Sequence, residues 1–160
     1  RRIRLEEVID LDDGQEWWKE SEVDRHYRMM SDEHQRQVDA HRRGLFARVG
    51  TAFRRVRRDG QRAEVRFDGL AGCLRTPRGG SGKQIVVAVG EGRLRMRWMS
   101  PREYARLQGA PDFPLAGGRN QQLFAFGDAV CVPAVRWVDQ HVLTPLYEFA
   151  RTARRNGHAG

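Results

Sequence analysis

The chain has 160 residues, 39% of them hydrophobic, and carries a net charge of +8. That length suits about one domain with a real core, and no apolar run is long enough for a membrane-spanning helix. Two cysteines, Cys73 and Cys131, make neither a metal-ligand spacing nor a disulfide framework, which points to a reducing cytoplasm.

No secretory signal is visible, and the first residue is Arg1 and not methionine, as expected of a piece of something longer. Residues 1–40 are acidic, with 7 Lys/Arg against 12 Asp/Glu. They alternate loosely through Ile3, Leu5 and Val8, then reach a turn at Asp12-Asp13-Gly14. Trp17 and Trp18 follow as packing anchors. Ser21, with Asp24 three residues on, predicts a helix to Met30, and Ser31 predicts the start of a second one ending at Gly44. Val23, Tyr27 and Met30 share a face of the first, and His34, Val38 and His41 a face of the second. No cysteine or carboxylate cluster accompanies these histidines, so they read as surface or helix-face residues, and no metal site is expected.

Residues 41–83 reverse the balance, with 12 Lys/Arg against 3 Asp/Glu. Nearly all of these cations are arginine, whose planar fork suits phosphates and guanine edges, and such an excess favours a polyanionic partner over a solvated basic face. From Phe46 the period becomes that of strands. A run to Arg58 meets the hairpin turn Asp59-Gly60, after which Ala63, Val65 and Phe67 alternate with Arg62, Glu64 and Arg66. The arginines then tend to line one surface, and a ribbon bearing Arg54, Arg55, Arg57, Arg58 and Arg62 can enter a major groove or clasp a backbone.

In the stretch Asp68 to Gln84, six of seventeen residues are glycine or serine, interleaved with Arg75, Arg78 and Lys83. Its backbone amides can approach phosphate unobstructed, a flexible surface loop being the plainer alternative. Lys83 lacks the Gly-Lys-Ser/Thr context of a Walker loop. Gln84 to Gly90 reads as a buried strand, Gly90-Glu91-Gly92 as a turn, and Leu94, Met96 and Trp98 alternate with Arg93, Arg95 and Arg97 on the next strand.

Ser100 then caps a helix, Pro101 suits its first position, Glu103 completes a capping box, and Gly109 stops it ahead of Pro111. After a short loop, Gly127 and Asp128 have the form of a tight turn into another helix. Val130 to Arg155 reads as a helix broken near Pro145, with Val132, Val135, Trp137, Val138 and Leu143 inward and a frayed tail from Arg154.

Arg97-Trp-Met-Ser-Pro-Arg-Glu with Ala105-Arg-Leu-Gln-Gly resembles the ninth sequence motif of the cytosine-C5 DNA methyltransferases. Gly127-Asp-Ala-Val-Cys-Val-Pro resembles their tenth, in the right order and about twenty residues on. Leu74, Thr76 and Gly79-Gly80 are similar to the end of the family's target recognition domain, with Cys73 where a threonine is usual. The likeness runs from about Val49 to Leu146, and residues 1–44 resemble the variable lead-in.

The resemblance implies an α+β chain: a helical lead-in over 1–44, a small antiparallel β-rich recognition region with hairpins over 45–98, and C-terminal helices over 99–160 that pack on a missing α/β catalytic domain. In this family a cytosine is flipped from the duplex, a Pro-Cys cysteine attacks C6, a glutamate contacts N3, and S-adenosylmethionine gives its methyl to C5. Pro-Cys, Phe-x-Gly-x-Gly and Glu-Asn-Val are all absent from these 160 residues, so no catalytic residue is expected in this chain.

Ribbon and loop together supply the candidate DNA contacts Arg54, Arg55, Arg57, Arg58, Arg62, Arg75, Thr76, Arg78, Gly79, Gly80, Ser81 and Lys83. The resemblance places Gly127, Asp128 and Ala129 beside S-adenosylmethionine, with Asp128 standing for the usual asparagine. It makes Arg97, Arg102 and Glu103 organisers of the recognition domain against the catalytic one, and Ala110 a replacement for the usual phenylalanine. The expected partners are double-stranded DNA and a catalytic domain or subunit carrying the missing motifs, in the bacterial cytoplasm at the nucleoid and in a restriction-modification setting. The alternative is a non-enzymatic nucleic-acid-binding module that kept the fold after losing catalysis.

Overall fold

The computed structural model describes residues 3–12, 14–58, 60–76 and 82–156, the side chains of 155 and 156 excepted. Strands β1 (Arg48–Arg57), β2 (Gly60–Arg66), β3 (Gln84–Gly90) and β4 (Arg93–Trp98) form one antiparallel sheet in the order β2-β1-β3-β4. Both hairpins read from the sequence are present, closing at the pairs Arg57 with Gly60 and Gly90 with Arg93. Asp59 of the first turn, like Asp13 of the earlier one, lies outside the described residues.

β3 is buried along its whole length because both faces of the sheet are covered. On one face Ala52, Ala63, Ile85, Val87 and Met96 pack with Val23, Met30 and Val38 of the lead-in, which folds there as α2 (Glu20–Arg28) and α3 (Asp32–Arg42). On the other face Val49 and Val86 pack with Leu5, Tyr104, Leu123 and Phe126. Those come from α1 (Leu5–Val8), α4 (Pro101–Leu107) and α5 (Arg119–Asp128). Uninterrupted apolar sequence in β3 is thus the signature of a central strand, whereas β1 and β2 lose burial toward their shared hairpin.

Two expectations for the lead-in are corrected at their edges. α1 is a single helical turn where the sequence only alternates, and α2 begins at Glu20 behind Lys19 in place of Ser21. The Lys19 carbonyl accepts from Glu22 N at 2.9 Å and Val23 N at 3.1 Å, and Glu20 and Glu22 suit the positive end of the helix. Ser31 does cap α3, its Oγ accepting from His34 N at 3.3 Å. Trp18 packs edge-on to Trp98 at 4.9 Å and against His26 at 4.4 Å, while Trp17 lies under Arg95 at 4.5 Å. Two backbone-to-backbone bonds tie the lead-in to the outer strands: Trp18 N donates to Met96 O at 2.9 Å, and Ala63 N donates to Met29 O at 3.0 Å.

The C-terminal third departs more. Residues 119–128, expected as loop and turn, form α5, because Gly118 N donates to the Gln121 side chain at 2.9 Å and the three-residue spacing of Leu123 and Phe126 buries both. Gly127 and Asp128 therefore close a helix instead of opening one, and α6 (Val132–Val138) starts only after Cys131. The break lies upstream of Pro145, in a π-helical turn over Asp139–Leu143 that leads into α7 (Thr144–Asn156). Proline has no N–H to return to the preceding turn, and the chain adjusts by widening that turn, where Thr144 N donates to Asp139 O. The face expected to point inward is uncovered: Val135 is 51% exposed, Trp137 57% and Leu143 55%. Among the described residues no helix is long and apolar enough to cross a membrane.

Candidate nucleic-acid interface

Strand alternation divides the arginines of the ribbon. Arg55 pairs with Arg62 in register, so these two share a face with Arg57. Arg54 goes to the other face, its guanidinium 5.1 Å from the Trp98 ring centroid, so a single arginine surface is not what the strands make. Glu64 stands between Arg57 at 3.1 Å and Arg55 at 3.6 Å. Arg66 Nε donates to Asp68 Oδ1 at 2.8 Å, an ion pair that raises the proton affinity of Arg66 and holds the Asp68 carboxyl below the usual range. All of these pairs are solvent-exposed, hence weak, and a phosphate can replace the carboxylate at little cost.

The link from β2 to β3 crosses the sheet over β1. Thr51 Oγ1 donates to Leu70 O at 3.2 Å and Gln84 Nε2 to Cys73 O at 3.2 Å, which hold the segment down. A cleft of ≈ 920 Å³ opens beside it, lined by Arg54, Arg55, Arg66, Arg75, Thr76 and Gln84 among others. Of the sequence-derived contacts, Arg55, Arg75 and Thr76 meet in this cleft, and Arg54 borders it while its guanidinium turns to Trp98. Arg57, Arg58 and Arg62 stand exposed at the outer end of the ribbon. Arg78, Gly79, Gly80 and Ser81 lie outside the described residues. Lys83 turns toward Trp98, with Nζ 5.8 Å from the ring centroid and 2.8 Å from Asn120 Oδ1. Its proton affinity is lowered by burial and then by Arg119 and Arg54.

Behind the cleft, one buried ion pair fixes how α4 meets the sheet. Arg97 and Glu103 are 1% and 0% exposed and pair bidentately, at 2.7 Å from Nη2 to Oε1 and 2.9 Å from Nη1 to Oε2. Arg97 Nη2 also donates to Asp10 O at 2.8 Å, and Glu103 Oε2 accepts from Ser100 N at 2.7 Å, completing the capping box read from the sequence. Arg102 donates to the carbonyls of Pro111 and Phe113 and Arg106 to that of Val8. The pair therefore joins β4, α4 and the lead-in.

A family model described as C-5 cytosine-specific DNA methylase matches residues 9–143, most of the 160-residue chain. The chain belongs to that family. No curated protein and no solved structure matches it. C-5 cytosine-specific DNA methylases act on DNA and use S-adenosylmethionine, so the chain is related to methyl transfer onto cytosine in DNA.

Set in a C-5 cytosine methylase, α5 has two neighbours of interest. A Cβ on Gly127 would lie inside contact distance of Thr76 N and 2.6 Å from the Arg75 carbonyl carbon, so only glycine lets α5 press on the cleft wall. Asp128 and Ala129, just beyond, are exposed. At the other end Arg119 reaches Gln15 Oε1 at 3.0 Å and Met99 O at 3.3 Å. Arg119 and Asn120 are not among the residues singled out for DNA because 119–128 reads as a loop, and Trp98 is not because it reads as an apolar strand residue. The available signal was Gly118 with Gln121 three residues on, ahead of the Leu123/Phe126 spacing.

Proposed function

We propose that the chain is the DNA-recognition and domain-closing part of an S-adenosylmethionine-dependent DNA (cytosine-5-)-methyltransferase, inactive without a catalytic half. The observation that carries this reading is an arginine-lined cleft that meets α5 at Gly127, with an uncovered apolar arm, α6 to α7, following that same end of the helix. The cleft offers cations and amides to a phosphate backbone. Along the arm Val132, Val135, Trp137, Leu143 and Leu146 are all exposed, the kind of surface that marks an interface. A catalytic domain or subunit that brings the Pro-Cys nucleophile and the glycine-rich cofactor loop is the fitting partner.

S-adenosylmethionine supplies the methyl group in such an enzyme. From this chain it would meet Asp128 and Ala129, whose exposure suits a contact, while Gly127 has its open side taken by the Arg75–Thr76 backbone. Arg97 and Glu103 act as organisers and not as catalysts, since both are sealed from solvent.

The test is tritium transfer from labelled S-adenosylmethionine to duplex DNA by this chain, by a polypeptide carrying the missing motifs, and by their mixture. Only the mixture should methylate, at C5 of cytosine in a defined sequence. The excess of basic residues over 41–83 corresponds to roughly six phosphate contacts, and the chain alone should bind duplexes with a log-log salt slope of about −5. Transfer by this chain alone, or none from a well-folded complex with its upstream partner, would falsify the reading.

A further inference from the structure

We infer that Lys83, Arg119 and Arg54, gathered around the indole of Trp98, hold one phosphodiester group of the DNA backbone. This rests on the DNA-recognition reading above and adds to it a site at the start of α5. The sheet register sets two of the three cations. Phe53 and Gln84 form the last pair of β1 with β3, and Arg54 and Lys83, the residues just beyond it, both turn toward Trp98. Their charged ends lie 5.1 and 5.8 Å from the Trp98 centroid. Arg119 comes in from α5, its Nη2 donating to Trp98 O at 3.5 Å and Met99 O at 3.3 Å.

Like charges gathered around one ring repel one another. Neither Lys83 nor Arg119 forms an ion pair with a carboxylate among the described residues. Among the described residues, the groups bearing electrostatically on Lys83 are Arg119 and Arg54, both cationic. The Trp98 ring attracts cations without neutralising them. α5 opens behind Gly118, which has no side chain to cap it, so the positive end of the helix dipole adds to the same spot. An anion with several acceptor oxygens relieves all of this at once.

The geometry selects a backbone phosphate over an isolated anion by continuity. Arg54 also lines the cleft with Arg55, Arg66 and Arg75, so this site and the cleft adjoin, as neighbouring phosphates of one strand do. Lys83 comes to the Trp98 ring and Arg119 to its backbone carbonyl, and the Lys83–Asn120 bond at 2.8 Å holds the ammonium in place without supplying charge.

The experiment uses the full chain with Lys83→Gln, Lys83→Arg and Arg119→Gln. Fluorescence anisotropy with labelled duplexes of two unrelated sequences, over a series of salt concentrations, reads affinity and slope. Lys83→Gln and Arg119→Gln should each flatten the log-log slope by about 1 and weaken both duplexes equally, while Lys83→Arg keeps the slope. Without DNA, Lys83→Gln should keep or raise the melting temperature. Inorganic phosphate should raise the melting temperature of the unaltered chain above that in chloride at equal ionic strength, an increment lost in Lys83→Gln. A lower melting temperature with unchanged DNA binding would show that the Lys83–Asn120 bond is only structural and overturn the site. Loss confined to one sequence would make these residues base readers and overturn it also. If the unaltered chain binds no duplex, the recognition reading itself fails, an outcome distinct from equal slopes for the unaltered chain and Lys83→Gln, which sinks this site alone.

Discussion

Replacing Glu103 by glutamine should loosen the joint between β4 and α4 more than any surface change can. Glutamine keeps the volume but turns an amide group toward the guanidinium of Arg97, which is 1% exposed and loses its counter-charge. Removing one partner of a buried ion pair costs about 3–5 kcal/mol, because the other charge stays in a medium that solvates it poorly. The bond from Ser100 N at 2.7 Å is weakened in the same stroke. Set against a total stability of roughly 5–15 kcal/mol, this removes about a fifth of it at least. For a chain of this size the melting temperature should fall by about 6–20 °C. Thermal and urea unfolding followed by circular dichroism measure it. The double replacement Arg97→Met with Glu103→Leu should recover most of the loss, since an apolar pair leaves no stranded charge. A single variant within about 1 kcal/mol of the parent, or a double variant whose losses simply add, refutes the argument.

Gly127→Ala forces a Cβ against the Arg75–Thr76 backbone and should cost about 1–3 kcal/mol by urea unfolding, with weaker duplex binding as the cleft wall shifts; unchanged values for both dismiss the contact. His26 is 1% exposed, and burial lowers its proton affinity below the ordinary value of 6.5. The unfolded chain then takes up the proton first, so stability should hold above about pH 6.5 and fall as the pH drops from there toward the folded-state value. In His26→Phe the melting temperature should fall less between pH 7 and 5, and His41, lowered in the same direction, leaves some slope behind. Asp128→Asn in the assembled enzyme should alter S-adenosylmethionine affinity and leave DNA affinity alone; titration calorimetry giving equal cofactor affinity removes Asp128 from that site.

The strands were legible because each carries its own evidence: alternation in β2 and β4, an unbroken apolar run in β3, and Gly60 and Gly92 at the turns. The capped helix at Ser100 was equally plain, since Ser, Pro and Glu sit at fixed offsets that one turn of helix demands. What the sequence concealed was tertiary. Gly127 reads as a turn former, yet it sits in a helix because its missing side chain makes room for the Arg75–Thr76 backbone. Arg97 reads as the polar member of an alternating strand and Glu103 as half of a capping box, and only the meeting of those elements buries them together. Arg54 parts from Arg55 for a local reason, the two-residue strand period, but its partner Trp98 is supplied by a strand two places away in the sheet.

The two bonds from the lead-in to the outer strands reach beyond the packing of the sheet. Trp18 N occupies Met96 O on the free side of β4, and Ala63 N on the free side of β2 is occupied by Met29 O. A sheet whose margins offer a complete row of vacant amides and carbonyls invites a foreign strand, and the same row templates fibril growth. Here each margin is interrupted near its middle by the chain's own backbone, and the β2 margin carries Arg62 and Arg66 besides. A foreign strand therefore finds no continuous margin on which to add, and concentrated solutions are guarded against edge-to-edge polymerisation.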